Sequence, residues 1–237
     1  MGVKRKERVI KILLKYDIKP SRFKALWEQI GNDYFLRFNE QEISWQTSFL
    51  IPHASSKQPI VKAQLCSNGN SIEVLVYVKD NNSLFAKIAN FFHSIRSNIV
   101  QAKVFTTKHG YALDVFNILD ENKTNLSYEE FFAYIEKELT NVIKNYHIDN
   151  VVKADTKTRQ AMHHKIDTKI LFAPIGKERF EFQVVTDLRP GLLSLIANEI
   201  NNLGLSIDNA KINSLGQRAE DFFIIRSGNE KISKNNI

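Results

Sequence analysis

The chain has 237 residues, 43% of them hydrophobic, so it can bury one large core or two small ones, and no apolar run approaches the roughly 20 residues that a membrane crossing needs. Its single cysteine, Cys66, excludes an internal disulfide, and MGVKRKERVI opens on charges with no apolar run behind them, which points to a reducing cytoplasm rather than secretion. The net charge of +7 is confined to Met1–Lys24, where nine basic residues face two acidic ones, leaving the rest of the chain formally neutral.

The basic segment reads as a helix over 3–16 whose Val9, Ile10, Leu13 and Leu14 pack inward. Its charges are either a solvated face or a phosphate-binding arm. Nucleic-acid stacking surfaces interleave rings with cations, and the charges from Lys4 to Lys15 have none between them, which favours the solvated face. A second helix is predicted over 21–30, and NEQEISWQTSFL is a third, with Asn39 as N-cap and Glu42 three residues later. HASSK, between Pro52 and Pro59, is a linker of small and polar residues.

The composition then turns strand-rich. SIEVLVYV is a strand, KDNNS turns the chain, and LFAKIANFFHSI sets Leu84, Ile88, Phe91, Phe92 and Ile95 along one helical face. IVQAKVFTT and YALDVFNIL form a hairpin around KHG, and SYEEFFAYIEKELTNVIKN opens with a Ser127 to Glu130 capping box. After the polar stretch 147–165, KILFAP offers a closing strand. The resulting order, βαββαβ, is that of a ferredoxin-like unit whose helices cover one face of an antiparallel sheet. Trp27, Trp45, Phe91, Phe92, Phe131 and Phe132 are read as core.

The pattern recurs. Ile99, Ala102 and Lys103 match Ile207, Ala210 and Lys211 at an offset of 108, and Asp114 and Phe116 match Asp221 and Phe223 at 107. LFAKIANFF is answered by LLSLIANEI. A period this long, spanning strand, helix and hairpin, is a duplicated domain rather than a solenoid repeat.

IVQAKVFTTKHGYALDVFNILD and RPGLLSLIANEINNLGLSIDNAKINSLGQRAEDFFII resemble paired ACT domains, amino-acid-binding regulatory modules, and specifically the tandem pair of the bacterial PII uridylyltransferase/uridylyl-removing enzymes. ALWEQIGNDYFLRFNEQEISWQT is similar to the segment joining that family's HD hydrolase domain to its ACT pair. The resemblance implies an α+β chain: a helical segment over 1–58, a first βαββαβ repeat over 59–146, a linker with a connecting strand over 147–178, and a second, truncated βαββ repeat over 179–237. Neither the family's paired-Asp nucleotidyltransferase motif nor its His-Asp metal pair is found, and the histidines lack metal-ligand spacing, His163 and His164 reading as a surface pair in the linker. The chain is therefore expected to have no catalysis, metal or cofactor. The resemblance implies a sensor of L-glutamine that acts on the same enzyme's catalytic domains and on PII, with the two repeats tightly paired or the chain a homodimer to cover the incomplete repeat.

ACT modules usually hold an amino acid between the turn after the first strand and a neighbouring module's strand. Helix N-terminal N–H groups suit its carboxylate, and a side-chain acid suits its ammonium. In the first repeat that turn is Asp80, Asn81, Asn82 and Ser83, running into Leu84, with Asp80 where the resemblance places the acid and the two asparagines in place of Arg-Pro. Asp80 and Ser83 have a second reading, as residues that begin and cap a helix. In the second repeat the turn is Leu188, Arg189, Pro190, Gly191 and Leu192, with Asp187 one residue early and so directed away from the pocket. Asn98 and Ile99 complete the expected effector-binding set.

Two other functions are open to this fold. One is a docking module that has lost its ligand. The other is RNA binding, suggested by KHGYALDVF, but Leu113 stands where a stacking ring is needed, and alternation separates Tyr111, Leu113, Val115 and Asn117 from Ala112, Asp114, Phe116 and Ile118.

Overall fold

Four helical segments lead into one sheet. The structure, a computed structural model, describes residues 2–66, 69, 71–120, 127–145, 166–215 and 217–227. Helices α1 (Gly2–Lys15), α2 (Pro20–Ile30), α3 (Tyr34–Arg37) and α4 (Glu40–Leu50) come first. At α4 both halves of the expected capping box form: the Asn39 side chain accepts from the Glu42 backbone, and the Glu42 carboxylate accepts from the Asn39 N–H. The short α3 has too few turns for a periodic signal and was not legible beforehand. No described helix is long and apolar enough to cross a membrane.

The first unit comprises β1 (Ile60–Leu65), β2 (Ile72–Lys79), α5 (Leu84–Ser94), β3 (Ser97–Lys103), β4 (Tyr111–Asp120) and α6 (Tyr128–Asn145). The second comprises β5 (Lys169–Pro174), β6 (Arg179–Asp187), α7 (Leu192–Asn202), β7 (Ser206–Leu215) and β8 (Arg218–Arg226). All eight strands form one antiparallel sheet in the order β1-β2-β4-β3-β7-β8-β6-β5.

This corrects one expectation. KILFAP does not close the first unit; it pairs with β6 and opens the second, and the strand beside β2 is β1, which precedes it. Each unit therefore starts with its edge strand, a permuted order that keeps the ferredoxin-like layering. The reason is that a short edge strand carries no local mark of which neighbour it joins. His147, His163, His164 and the last ten residues lie outside the described residues.

The two units meet through β3 and β7. The register pairs Ala102 with Ile212 and Lys103 with Lys211, and Lys103 and Lys211 are equivalents at the offset of 108, so a local two-fold axis passes between them. The same axis passes between α5 and α7. There Asn90 and Asn198, again 108 apart, exchange side-chain hydrogen bonds at 3.0 Å in both directions, and Ser194 also donates to Asn90. Both β3 and β7 bulge at equivalent places, between Ile99 and Gln101 and between Ile207 and Asn209.

Two cores flank the sheet. Val74, Val76, Phe116 and Ile118 pack with α5, α6 and α7, together with Ala210, Ile212 and Phe223 from the second unit. On the opposite face Leu75, Tyr77, Leu113 and Val115 pack against α1–α4. The first unit's sheet is thus covered on both sides, which explains the uninterrupted apolar run over 74–78 within β2. It also buries the face an RNA would have needed, where Tyr77 and Tyr111 stack 5.1 Å apart. Trp27, Phe91, Phe92 and Phe131 are buried, with Trp45 and Phe132 packed at the margins.

The basic N-terminal segment is mainly a solvated face, yet Arg5 donates to the Phe35 and Phe38 carbonyls and Arg8 pairs with Glu40 at 2.7 Å. At the edge of the first unit, Glu136 of α6 accepts from the Ala63 N–H and pairs with Lys62, covering the free strand edge. Among the described residues no strand pairs with the outer edge of β5, where Ile170 and Leu171 are 58% and 64% exposed.

Candidate functional site

The local two-fold axis creates two equivalent clefts, each between one unit's helix-entry turn and the other unit's strand. The expected site residues divide between them. Asp80, Asn81, Asn82 and Leu84 line the first, together with Ser206 and Ile207 of β7. Asn98 and Ile99 of β3 line the second, together with Leu188, Arg189, Gly191 and Leu192. Ser83 and Pro190 shape the turns without lining either cleft.

The first cleft encloses about 240 Å³. The Asp80 N–H donates to the Gly110 carbonyl at 3.0 Å, and its Oδ2 accepts from Thr106 Oγ1 at 2.7 Å. Ser83 does not cap α5; its hydroxyl donates to Asn81 Oδ1, so no side chain occupies the helix N-terminus. Asn82 Oδ1 accepts from Ser206 Oγ at 2.8 Å, which joins the turn to the other unit. Asp114 lies beneath, 1% exposed, accepting from the Phe105 N–H at 3.2 Å.

Burial pushes both acids above the usual carboxylate range, opposed at Asp80 by the Thr106 hydrogen bond and reinforced at Asp114 by the charge of Asp80. A half-buried acid beside a buried one favours a cation between them. Arg226, at the end of β8, lines the same cleft. Acids from one unit and a guanidinium from the other suit a zwitterion.

The second cleft encloses about 40 Å³, room for a few waters at about 10–15 Å³ each. The backbone is conserved between the clefts: Leu188 N–H donates to Gln217 O at 2.7 Å, as Asp80 does to Gly110. The contents differ. Gly191, at φ +75, allows the His93 ring to lie over it, so close that a Cβ there would sit 2.9 Å from the ring's Cε1. Leu188 stands where the first cleft has Asp80, and Leu119 where it has Arg226, at offsets of 108 and 107. Asp187 is turned away, its Oδ1 accepting from the Ile166 N–H. Asp221, equivalent to Asp114, is 2% exposed; burial pushes it up to about 7, against a hydrogen bond from the Asn213 N–H, and its Oδ1 has no hydrogen-bond partner among the described residues.

Thr106, Asp114, Ser206 and Arg226 in the first cleft, and His93 and Asp221 in the second, were not among the residues expected from sequence. The recurrence of Asp114 as Asp221 was a usable signal, because an acid kept on the helix-facing side of a strand is costly in both copies. Among the described residues no group of three or more His, Cys, Asp or Glu is placed to hold a metal ion.

Comparison with known proteins agrees with this architecture. Residues 3–48 match the family described as Uridylyltransferase GlnD fifth domain. The chain is 35% identical over 223 residues to the bifunctional uridylyltransferase/uridylyl-removing enzyme of Nitrosospira multiformis, covering 93% of this chain and 25% of that enzyme. It is 31% identical to the namesake enzyme of Thiobacillus denitrificans, covering 95% and 27%, and 34% identical to that of Chromobacterium violaceum, covering 84% and 23%. Over most of its length the chain is similar to bifunctional uridylyltransferase/uridylyl-removing enzymes, and it spans about a quarter of the length of the relatives it matches.

Proposed function

We propose that the first cleft is the effector site of a regulatory region, that its ligand is a free α-amino acid, with L-glutamine the first candidate, and that occupancy controls uridylyl transfer to and removal from the PII protein by catalytic domains of the same enzyme. The observation that carries this reading is the opposition of Asp80 and Asp114 to Arg226 across a cavity of about 240 Å³ walled by both units. A ligand in such a place acts on the arrangement of the units. Its regulatory free energy is the difference between its affinities for the arrangements it finds. No catalysis is assigned to this chain.

The test is isothermal titration with L-glutamine, with L-glutamate and other amino acids as controls. Saturable binding selective for glutamine is the expected result. Absence of heat across millimolar glutamine, from chain shown to be folded by circular dichroism, refutes the reading in favour of a module that only docks.

A further inference from the structure

We propose that Arg226 is the specificity-determining anion anchor of the first cleft, holding the ligand's α-carboxylate from the second unit while Asp80 and Asp114 hold its ammonium from the first. The inference rests on reading that cleft as an amino-acid site, and it adds which residue selects the carboxylate.

The argument begins in the sheet. Arg179 of β6 and Arg226 of β8 are directly opposite in register, an arrangement of like charges that costs stability. Asp208 resolves it. The bulge between Ile207 and Asn209 places its carboxylate between the two, Oδ1 accepting from Arg226 Nε at 2.9 Å and Oδ2 paired with Arg179 Nε at 3.0 Å. Its side chain is 13% exposed, so this bridge is sheltered, while Arg226 keeps 45% exposure.

The consequence is a guanidinium fixed by Nε at the cleft wall. Its two terminal nitrogens carry the remaining N–H donors of a planar fork, the geometry that matches a carboxylate. Both partners of the bridge lie within electrostatic range of Asp80: Asp208 disfavours its ionised form and, less strongly, Arg226 favours it.

The other half of the molecule supplies the control. There the equivalents of Asp80 and Arg226 are both leucines, Leu188 and Leu119, and the arginine that lines the cleft, Arg189, comes from its own helix-entry turn rather than from the opposite unit. An acid retained only to start a helix would have no reason to be paired with a cation on a distant strand. The open N-terminus of α5 is the rival holder of the carboxylate, and experiment separates the two.

The full chain is titrated with L-glutamine and with its α-amide, which keeps the ammonium and side chain and removes the carboxylate charge. Loss of a charge-assisted hydrogen bond predicts that wild type prefers glutamine by about tenfold or more. Arg226→Gln abolishes that preference while leaving affinity for the amide within about twofold, and Arg226→Lys restores part of it. Asp208→Asn, which frees the guanidinium, weakens glutamine and not the amide, a pattern that general damage to the fold would not give. A preference for glutamine that survives in Arg226→Gln overturns the assignment and leaves the carboxylate on α5. Failure of wild type to bind either compound overturns the effector reading and this assignment with it.

Discussion

The two clefts share a backbone and differ in what they can hold. Each has a helix-entry turn tied to the following hairpin, a neighbouring unit's bulged strand, and a buried aspartate beneath. One has about 240 Å³ bounded by Asp80, Asp114 and Arg226, and the other about 40 Å³ with His93 over Gly191. Duplication copied the fold and therefore the clefts. A handful of side chains then separated a roomy cleft with acids facing an arginine from a packed joint, which shows that in such a pair the fold alone does not fix what a cleft can hold.

The largest expected effect concerns the closed cleft. Asp221 ordinarily titrates near 3.8 and burial pushes it up to about 7. Between those values the folded chain keeps a proton that the unfolded chain has released, so stability falls as pH rises through the window, by up to about 4 kcal/mol in all. Denaturant unfolding from pH 4 to pH 8 checks this. Asp221→Asn removes its share of the slope and makes the chain more stable than wild type at pH 8, leaving the share of Asp80 and Asp114, which burial also raises. A wild-type curve that is flat or rising through the window breaks the comparison at its buried acids.

Next in size is Asp80→Asn in the open cleft. Removing the acid while leaving Asp114 deprives a ligand ammonium of its nearer partner, and affinity for glutamine falls about hundredfold with the fold intact. Calorimetric titration reads it directly. Binding that changes less than threefold would place the ammonium elsewhere.

Much of this architecture was legible in the residues. Asn39 with Glu42 and Ser127 with Glu130 announced two helix starts that form as expected, and the offset of 108 became the two-fold axis through Lys103, Lys211, Asn90 and Asn198. The early position of Asp187 correctly foretold that it turns away. The edge strands were harder. IVKAQL and KILFAP are short, and which strand each joins is decided by pairing across the sheet, not by any local pattern. The open cleft was half legible for the same reason. Its turn could be read from Asp80 to Leu84, whereas Ser206 and Arg226 arrive only when β7 crosses to pair with β3. A lone arginine at the end of a strand looks like any solvated charge.

A smaller effect separates Gly191 from its equivalent Ser83. Gly191→Ala places a Cβ against the His93 ring in a left-handed backbone conformation and costs about 1–3 kcal/mol. Ser83→Ala, whose hydroxyl bonds only to Asn81 at the surface, changes stability by less than about 0.5 kcal/mol. Equal costs in chemical unfolding would mean that His93 yields without strain and does not close the second cleft.

The smallest expected effect sharpens the comparison most. His93→Ala removes the ring that fills the second cleft and leaves volume there, so if space alone distinguishes the clefts the variant binds two ligands per chain. Charge argues otherwise. The enlarged cleft still presents Leu188 where an ammonium would need a partner, its single acid is Asp221, buried and pushed up to about 7, and its guanidinium, Arg189, comes from the same unit as that acid rather than from across the cleft. Without an acid at position 188 the ammonium gains too little to offset its desolvation. The expected stoichiometry is therefore the same as in wild type, read by titrating both chains under one set of conditions. A second binding event in His93→Ala would show that His93 alone holds the second site shut, and would move the origin of the asymmetry from the acid and the arginine to the glycine that lets a histidine lie over it.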